Sequence, residues 1–156
     1  MRQGKVDRRL QVGRALIIVM GILFMAIAVV AATNPLPGEE GYLGRSFGEI
    51  RAADPQLGNV IWHDYVVFGT LLFGVSFLIV YLAWSELRRS SREAWLSILV
   101  LAVTILAFLV LAHVPIGNTS FAHFGIPTIL ALLLISGLAV SAKPVFRETA
   151  QGPLAA

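Results

Sequence analysis

Polar and apolar positions along this chain do not alternate with a strand period. Instead they separate into long blocks. Four uninterrupted apolar runs stand out: Ala15 to Ala32, Val60 to Trp84, Ala94 to Val114 and Phe124 to Ala142. Each is long enough to cross roughly 30 Å of hydrocarbon at about 1.5 Å rise per residue. In lipid an unpaired backbone amide costs several kcal/mol, so each run is predicted to be a helix. The predicted fold is an all-α integral membrane four-helix bundle, a single transmembrane domain over residues 1–156. Its spans fall at about 15–32, 60–84, 94–114 and 124–142.

The intervening segments are unequal. Ser85 to Glu93 and Pro115 to Ser120 are short, which predicts antiparallel neighbours for spans two and three and for spans three and four. The long connection is 33–59. It opens with "NPLPGEEG", whose prolines and glycines predict irregular chain. In "YLGRSFGEIRAA", Leu43, Phe47 and Ile50 share one helical face, which predicts a short helix on the membrane surface before "ADPQLGN" breaks it. Pro127 either begins the fourth helix or kinks it, depending on whether a cap forms at Asn118 to Ser120.

Composition agrees with a bilayer environment. The 156 residues are 57 % hydrophobic and only 13 % charged, against about 25 % charged in soluble domains. No cysteine is present, which excludes disulfides and thiolate chemistry. The basic residues are placed asymmetrically. Arg2, Lys5, Arg8, Arg9 and Arg14 precede the first span, Arg88, Arg89 and Arg92 lie between spans two and three, and Lys143 and Arg147 follow the fourth. The opposite side has Arg45 and Arg51, with Glu39, Glu40, Glu49, Asp54 and Asp64. The positive-inside rule predicts both termini in the cytoplasm and the 33–59 loop outside, in a plasma or inner membrane if the source is prokaryotic. The excess positive charge is therefore an orientation signal, and no nucleic-acid partner is expected. The first run exceeds the usual apolar length of a cleaved signal peptide, so it is read as an uncleaved anchor. Trp62, Tyr65, Phe121 and Phe124 mark the outer interface, and Tyr81, Trp84, Trp95 and Phe146 the inner one.

At 100° per residue, His63, Thr70, Gly74 and Tyr81 fall on one line of the second span and are its expected inward face. Ser97, Thr104 and Phe108 align on the third, and His123, Leu134 and Ser141 on the fourth, with Gly137 close by. Small and polar residues of this kind mark helix contacts in membranes.

Candidate chemistry is sparse. No ionisable group lies deep in any run, which disfavours a proton-coupled carrier or channel, the third class considered. Phosphate loops, paired catalytic carboxylates and a serine elbow are missing from the sequence. Histidine remains. The phrase Ala-His occurs at 112–113 and again at 122–123. His63, His113 and His123 are all predicted at the outer level, with Asp64 beside the first. Three imidazoles and a carboxylate suit copper or zinc, two facing imidazoles suit a b-type haem, and a histidine beside Trp62 or Tyr65 suits a quinone headgroup. Histidines at helix ends also serve simply as interfacial residues, satisfied by headgroups and water. The leading expectation is a non-catalytic accessory subunit or assembly factor of a larger membrane complex, respiratory or otherwise energy-converting. Its partners would be the lipid bilayer and membrane proteins or further copies of itself. The alternative is a metal- or haem-binding redox protein.

Overall fold

The structure, a computed structural model, describes residues 7–34, 44–113 and 125–150. All regular structure among them is helical: α1 (Arg8–Thr33), α2 (Phe47–Ala53), α3 (Pro55–Ser85), a 3-10 turn (Leu87–Arg89), α4 (Arg92–His113) and α5 (Ile126–Ala150). Among the described residues α1, α3 and α5 are long and apolar enough to cross a membrane.

Local chemistry explains the helix ends. Asp7 starts α1, its carboxylate accepting from the Arg9 amide at 2.7 Å. At the far end the Thr33 hydroxyl donates back to the Val29 carbonyl at 2.8 Å. Ser46 starts α2 with a reciprocal capping box. Its hydroxyl accepts from the Glu49 amide at 3.2 Å, while the Glu49 carboxylate accepts from the Ser46 amide at 2.6 Å. Asp54 both ends α2 and begins α3. Its own N–H donates to Ile50, and its carboxylate accepts from the Leu57 amide at 3.0 Å. Pro55 follows as the first residue of α3, where its missing N–H costs nothing.

α2 falls within the 33–59 connection and includes Phe47 and Ile50, while Leu43 lies outside the described residues. α2 folds against the first turns of α3. The rings of Phe47 and Trp62 lie 6.2 Å apart, and Gly58 lets the α3 backbone approach Arg51. Because α3 has 31 residues, it is about 46 Å long and outreaches a bilayer core by several turns.

The turn after α3 reverses the chain through Leu87–Arg89 and Ser90, which adopts a left-handed φ of 58°. The Ser91 hydroxyl then accepts from the Ala94 amide at 3.1 Å to begin α4. Pro127 is the second residue of α5, and the proline lying inside that helix is Pro144.

α1 is the hub. It runs antiparallel to α3, with Gly21 opposite Ser76 and Val80 and Gly69 opposite Ala28 and Ala32. It also runs antiparallel to α5, with Gly13 opposite Gly137 and Ser141, and Ile17 against Gly137. At these crossings backbone meets backbone. A Cβ on Gly13 would stand 2.6 Å from the Gly137 carbonyl oxygen, and one on Gly69 would stand 2.6 Å from that of Ala28. In lipid, where burying apolar area gains little, such close approach supplies the dispersion contacts that associate helices.

The inward face of α3 differs from expectation. Gly69, Leu72, Ser76, Ile79 and Ala83 are buried, whereas His63, Thr70, Gly74 and Tyr81 are exposed. Both stripes repeat every seven residues and carry small or polar side chains, so periodicity alone did not separate them. On α4 likewise, Ala94, Ile98 and Ala102 are buried, while Ser97 and Thr104 are exposed. On α5 the expectation holds for Leu134, Gly137 and Ser141, all of which are buried.

Candidate functional site

His63, His113 and His123 are the residues that the sequence singles out for chemistry. His63 lies on α3 two turns beyond Pro55, immediately before Asp64. Its Nδ1 is 3.1 Å from Asp64 Oδ1, and both side chains are exposed, at 73 % and 70 %. When Nδ1 carries the proton it donates to that carboxylate, leaving the Nε2 lone pair facing outward. A carboxylate orienting an imidazole in this way is a usual arrangement behind a metal ligand. His113 is the last residue of α4, but its side chain, and the whole of His123, lie outside the described residues. The expected convergence of His63, His113 and His123 thus falls partly outside the description. Among the described residues no group of three histidine, aspartate or glutamate side chains is close enough to hold a metal.

On α2, Glu49 is held below the ordinary carboxylate value. The Ser46 backbone hydrogen bond is the main cause, followed by the Ser46 hydroxyl, with Arg45 adding a smaller attraction. This charge anchors the start of α2 rather than forming a reactive group.

The opposite end of the molecule holds the more elaborate chemistry. Arg14, one turn and a half into α1, reaches across to the end of α3. Its Nε donates to the Ala83 carbonyl at 3.0 Å and its Nη2 to the Trp84 carbonyl at 3.3 Å. These carbonyls carry the negative end of the α3 dipole, and a guanidinium fork is suited to bridge two of them. Between α4 and α5, the Trp95 indole N–H donates to the Leu138 carbonyl at 3.0 Å. The same indole meets the Phe146 ring edge-on at 5.3 Å and 81°. Arg92 lies over the other part of that assembly, its guanidinium carbon 5.1 Å from the Phe146 centroid.

Basic residues crowd this end. α1 contributes Arg8, Arg9 and Arg14, the 3-10 turn Arg88 and Arg89, α4 Arg92, and α5 Lys143 and Arg147. The acidic residues there are Asp7, Glu86, Glu93 and Glu148. Glu86 pairs with Arg89 at 3.8 Å, and Asp7 and Glu93 accept from their own helix starts or caps. The sequence had marked Arg14, Arg92 and Arg147 only as orientation charges and Trp95 and Phe146 only as interface aromatics. A basic residue immediately before an apolar run was the available signal for Arg14.

Within the helices, the buried hydroxyls are satisfied locally. Ser76 donates to Leu72 at 2.7 Å, and Ser141 donates to Gly137 at 2.8 Å. A shallow open groove between the C-terminal part of α1 and the middle of α3 is lined by Ala28, Val29, Ala32, Gly69, Thr70 and Phe73. Its lining is almost wholly apolar, and it presents the Thr70 hydroxyl already bonded to Val66 at 2.8 Å. Compared with known proteins, the chain matches no family model, no curated protein and no solved structure.

Proposed function

We propose that the chain is a four-span integral membrane protein with both termini in the cytoplasm. In this reading α4 is the fourth span and α2 lies at the outer surface. Its function is that of a non-catalytic accessory subunit or assembly factor in a larger membrane complex, of a respiratory or other energy-converting kind. One observation carries the reading. The interior is closed by backbone contact at Gly13, Gly69 and Gly137, while large side chains such as Phe68, Leu71, Phe77 and Trp84 project from α3 away from it. A rigid frame with an apolar exterior suits the docking of lipid and partner helices. The hydroxyls of Ser76 and Ser141, bonded to their own helices, also favour a frame over a polar conduit.

Photo-crosslinking in native membranes tests this. A benzoylphenylalanine at Phe68 or Phe77 is expected to give a discrete heavier protein adduct of constant mass. Adducts with lipid alone at every exposed position of α3, α4 and α5 would refute the accessory role. Because the natural chain lacks cysteine, single replacements report sidedness directly. Ser46→Cys is expected to label from outside the cell and Ser90→Cys only after permeabilisation.

The second reading is a metal- or haem-binding protein, favoured by the Asp64 carboxylate on His63 Nδ1. His63, His113 and His123 would supply imidazoles for copper, zinc or a b-type haem iron, and Asp64 a fourth ligand or an orienting group. Elemental analysis and an optical spectrum of gently purified protein test it. Stoichiometric metal, or a Soret band, that disappears in His63→Ala would support it; neither signal, with reconstitution also failing, would sink it.

A further inference from the structure

The aromatic and basic assembly between α4 and α5 has a construction that the docking role does not require. Trp95 and Phe146 make a fixed floor, held by the indole bond to Leu138 and the edge-on ring contact. Arg92 lies over that floor, its guanidinium carbon 5.1 Å from the Phe146 centroid, and a guanidinium carries several N–H donors in one plane. Lys143 and Arg147 stand one turn apart on the exposed side of α5, the second immediately after Phe146. No ion pair within 4 Å engages Arg92, Lys143 or Arg147 among the described residues. The neighbouring acid, Glu93, accepts from the Ser91 hydroxyl at 3.1 Å and so serves its own helix start. Further along the same two helices, Leu96 on α4 and Ile135 on α5 are exposed apolar side chains.

We propose that the surface of α4 and α5 carrying Arg92, Lys143 and Arg147 is a binding site for an anionic phospholipid. The phosphate sits among Arg92, Lys143 and Arg147, and an acyl chain lies along the apolar continuation. The charge complementarity is local to three cations on this surface. Arg92 is pre-positioned by the ring, so less side-chain freedom is lost when the headgroup arrives. Trp95 lies at the level where the lipid's glycerol region would fall. The proposal rests on embedding in a membrane, which three helices support by length and composition, but not on the accessory role.

The test uses the full chain in nonionic micelles, with Trp62→Phe and Trp84→Phe so that Trp95 alone fluoresces. Brominated phosphatidylglycerol and brominated phosphatidylcholine of the same acyl chains are titrated in parallel. Phosphatidylglycerol is expected to quench Trp95 at the lower lipid fraction, and added salt to weaken it. Each basic residue near a membrane surface contributes about fivefold, so Lys143→Gln with Arg147→Gln is expected to raise the half-quenching concentration about twenty-five-fold. Lys143→Arg with Arg147→Lys keeps the charge and is expected to bind like the parent, as is Arg45→Gln with Arg51→Gln at the opposite end. Equal quenching by the two lipids would overturn the proposal, as would an unchanged titration in the Lys143 and Arg147 neutralised protein with native helical circular dichroism. Displacement by inorganic phosphate at millimolar concentration would overturn it in favour of a soluble-anion site. Failure of membrane embedding itself would be seen separately, as protein extracted by alkaline carbonate.

Discussion

The packing at Gly13 makes a sharp prediction for Gly13→Ala. The added methyl would lie 2.6 Å from the Gly137 carbonyl oxygen and 2.7 Å from the Ser141 Cβ, where ordinary contact begins at 3.4 Å. It is therefore about 0.8 Å too close to the oxygen. Neither neighbour has a torsion that moves it aside, so α1 and α5 must separate by a comparable distance. Separation also loosens Ile17 from Gly137, whose contact depends on the same register. Overpacking of this kind costs roughly 1–3 kcal/mol. Alanine returns at most about 1 kcal/mol through its better helix propensity. The expected net destabilisation is about 1–2 kcal/mol, since lipid supplies no compensating hydrophobic gain. Gly74→Ala is the matched control. It lies on the outward face of α3 with nothing within 4 Å of the added methyl, and is expected to be neutral or slightly stabilising. Unfolding by SDS titration in mixed micelles, followed by far-ultraviolet circular dichroism, measures both. A Gly13→Ala protein as stable as the parent would refute the close α1–α5 contact. A destabilised Gly74→Ala would refute the assigned face of α3.

Three further outcomes follow from single contacts. Arg14→Gln removes the charged fork from the Ala83 and Trp84 carbonyls, and in the same titration is expected to cost about 1–2 kcal/mol, with Arg14→Lys recovering part of it. Gly58→Ala would place a methyl 2.8 Å from Arg51 Cβ and 2.9 Å from its Cα, so α2 should detach from α3. Limited proteolysis between residues 47 and 53 should accelerate while the SDS midpoint stays nearly constant. Glu49 is held below its ordinary value in the folded chain, so its capping contribution is complete above the usual glutamate range near 4.3 and is lost as pH falls through the lowered folded value. Hydrogen exchange at the first amides of α2, corrected for intrinsic rates, should be constant from neutrality down to that range and lose protection below it; constant protection at lower pH would refute the role of the carboxylate.

The amino-acid sequence by itself determined where the helices are. The runs 15–32 and 60–84 lie wholly inside α1 and α3, and 94–114 and 124–142 overlap α4 and α5 almost throughout. The physical reason is strong and local, since an apolar segment of that length must satisfy its own backbone hydrogen bonds. The helices begin or end beyond these runs because Asp7, Asp54 and Ser91 cap them in polar chain. The electrostatic asymmetry was equally legible, because charge cannot be hidden in an apolar run. The site was legible only in part: His63 and Asp64 were identified as neighbours by adjacency, whereas the pairing of Arg92 with Phe146 joins residues more than fifty positions apart.

Tertiary structure alone decided which faces meet and which helix stands at the centre. Short turns pointed to sequential pairing of spans two, three and four, yet α1 packs most extensively, against α3 and α5. The choice between Gly69–Ser76–Ala83 and Thr70–Gly74–Tyr81 on α3 also required it. A soluble helix shows its inward face by being apolar there and polar elsewhere. A helix in lipid is apolar all round, so the inward face is selected by shape, by whether a partner's backbone fits against it. Ala28 and Ala32 of α1 fit against Gly69, and nothing on α3 alone encodes that fit.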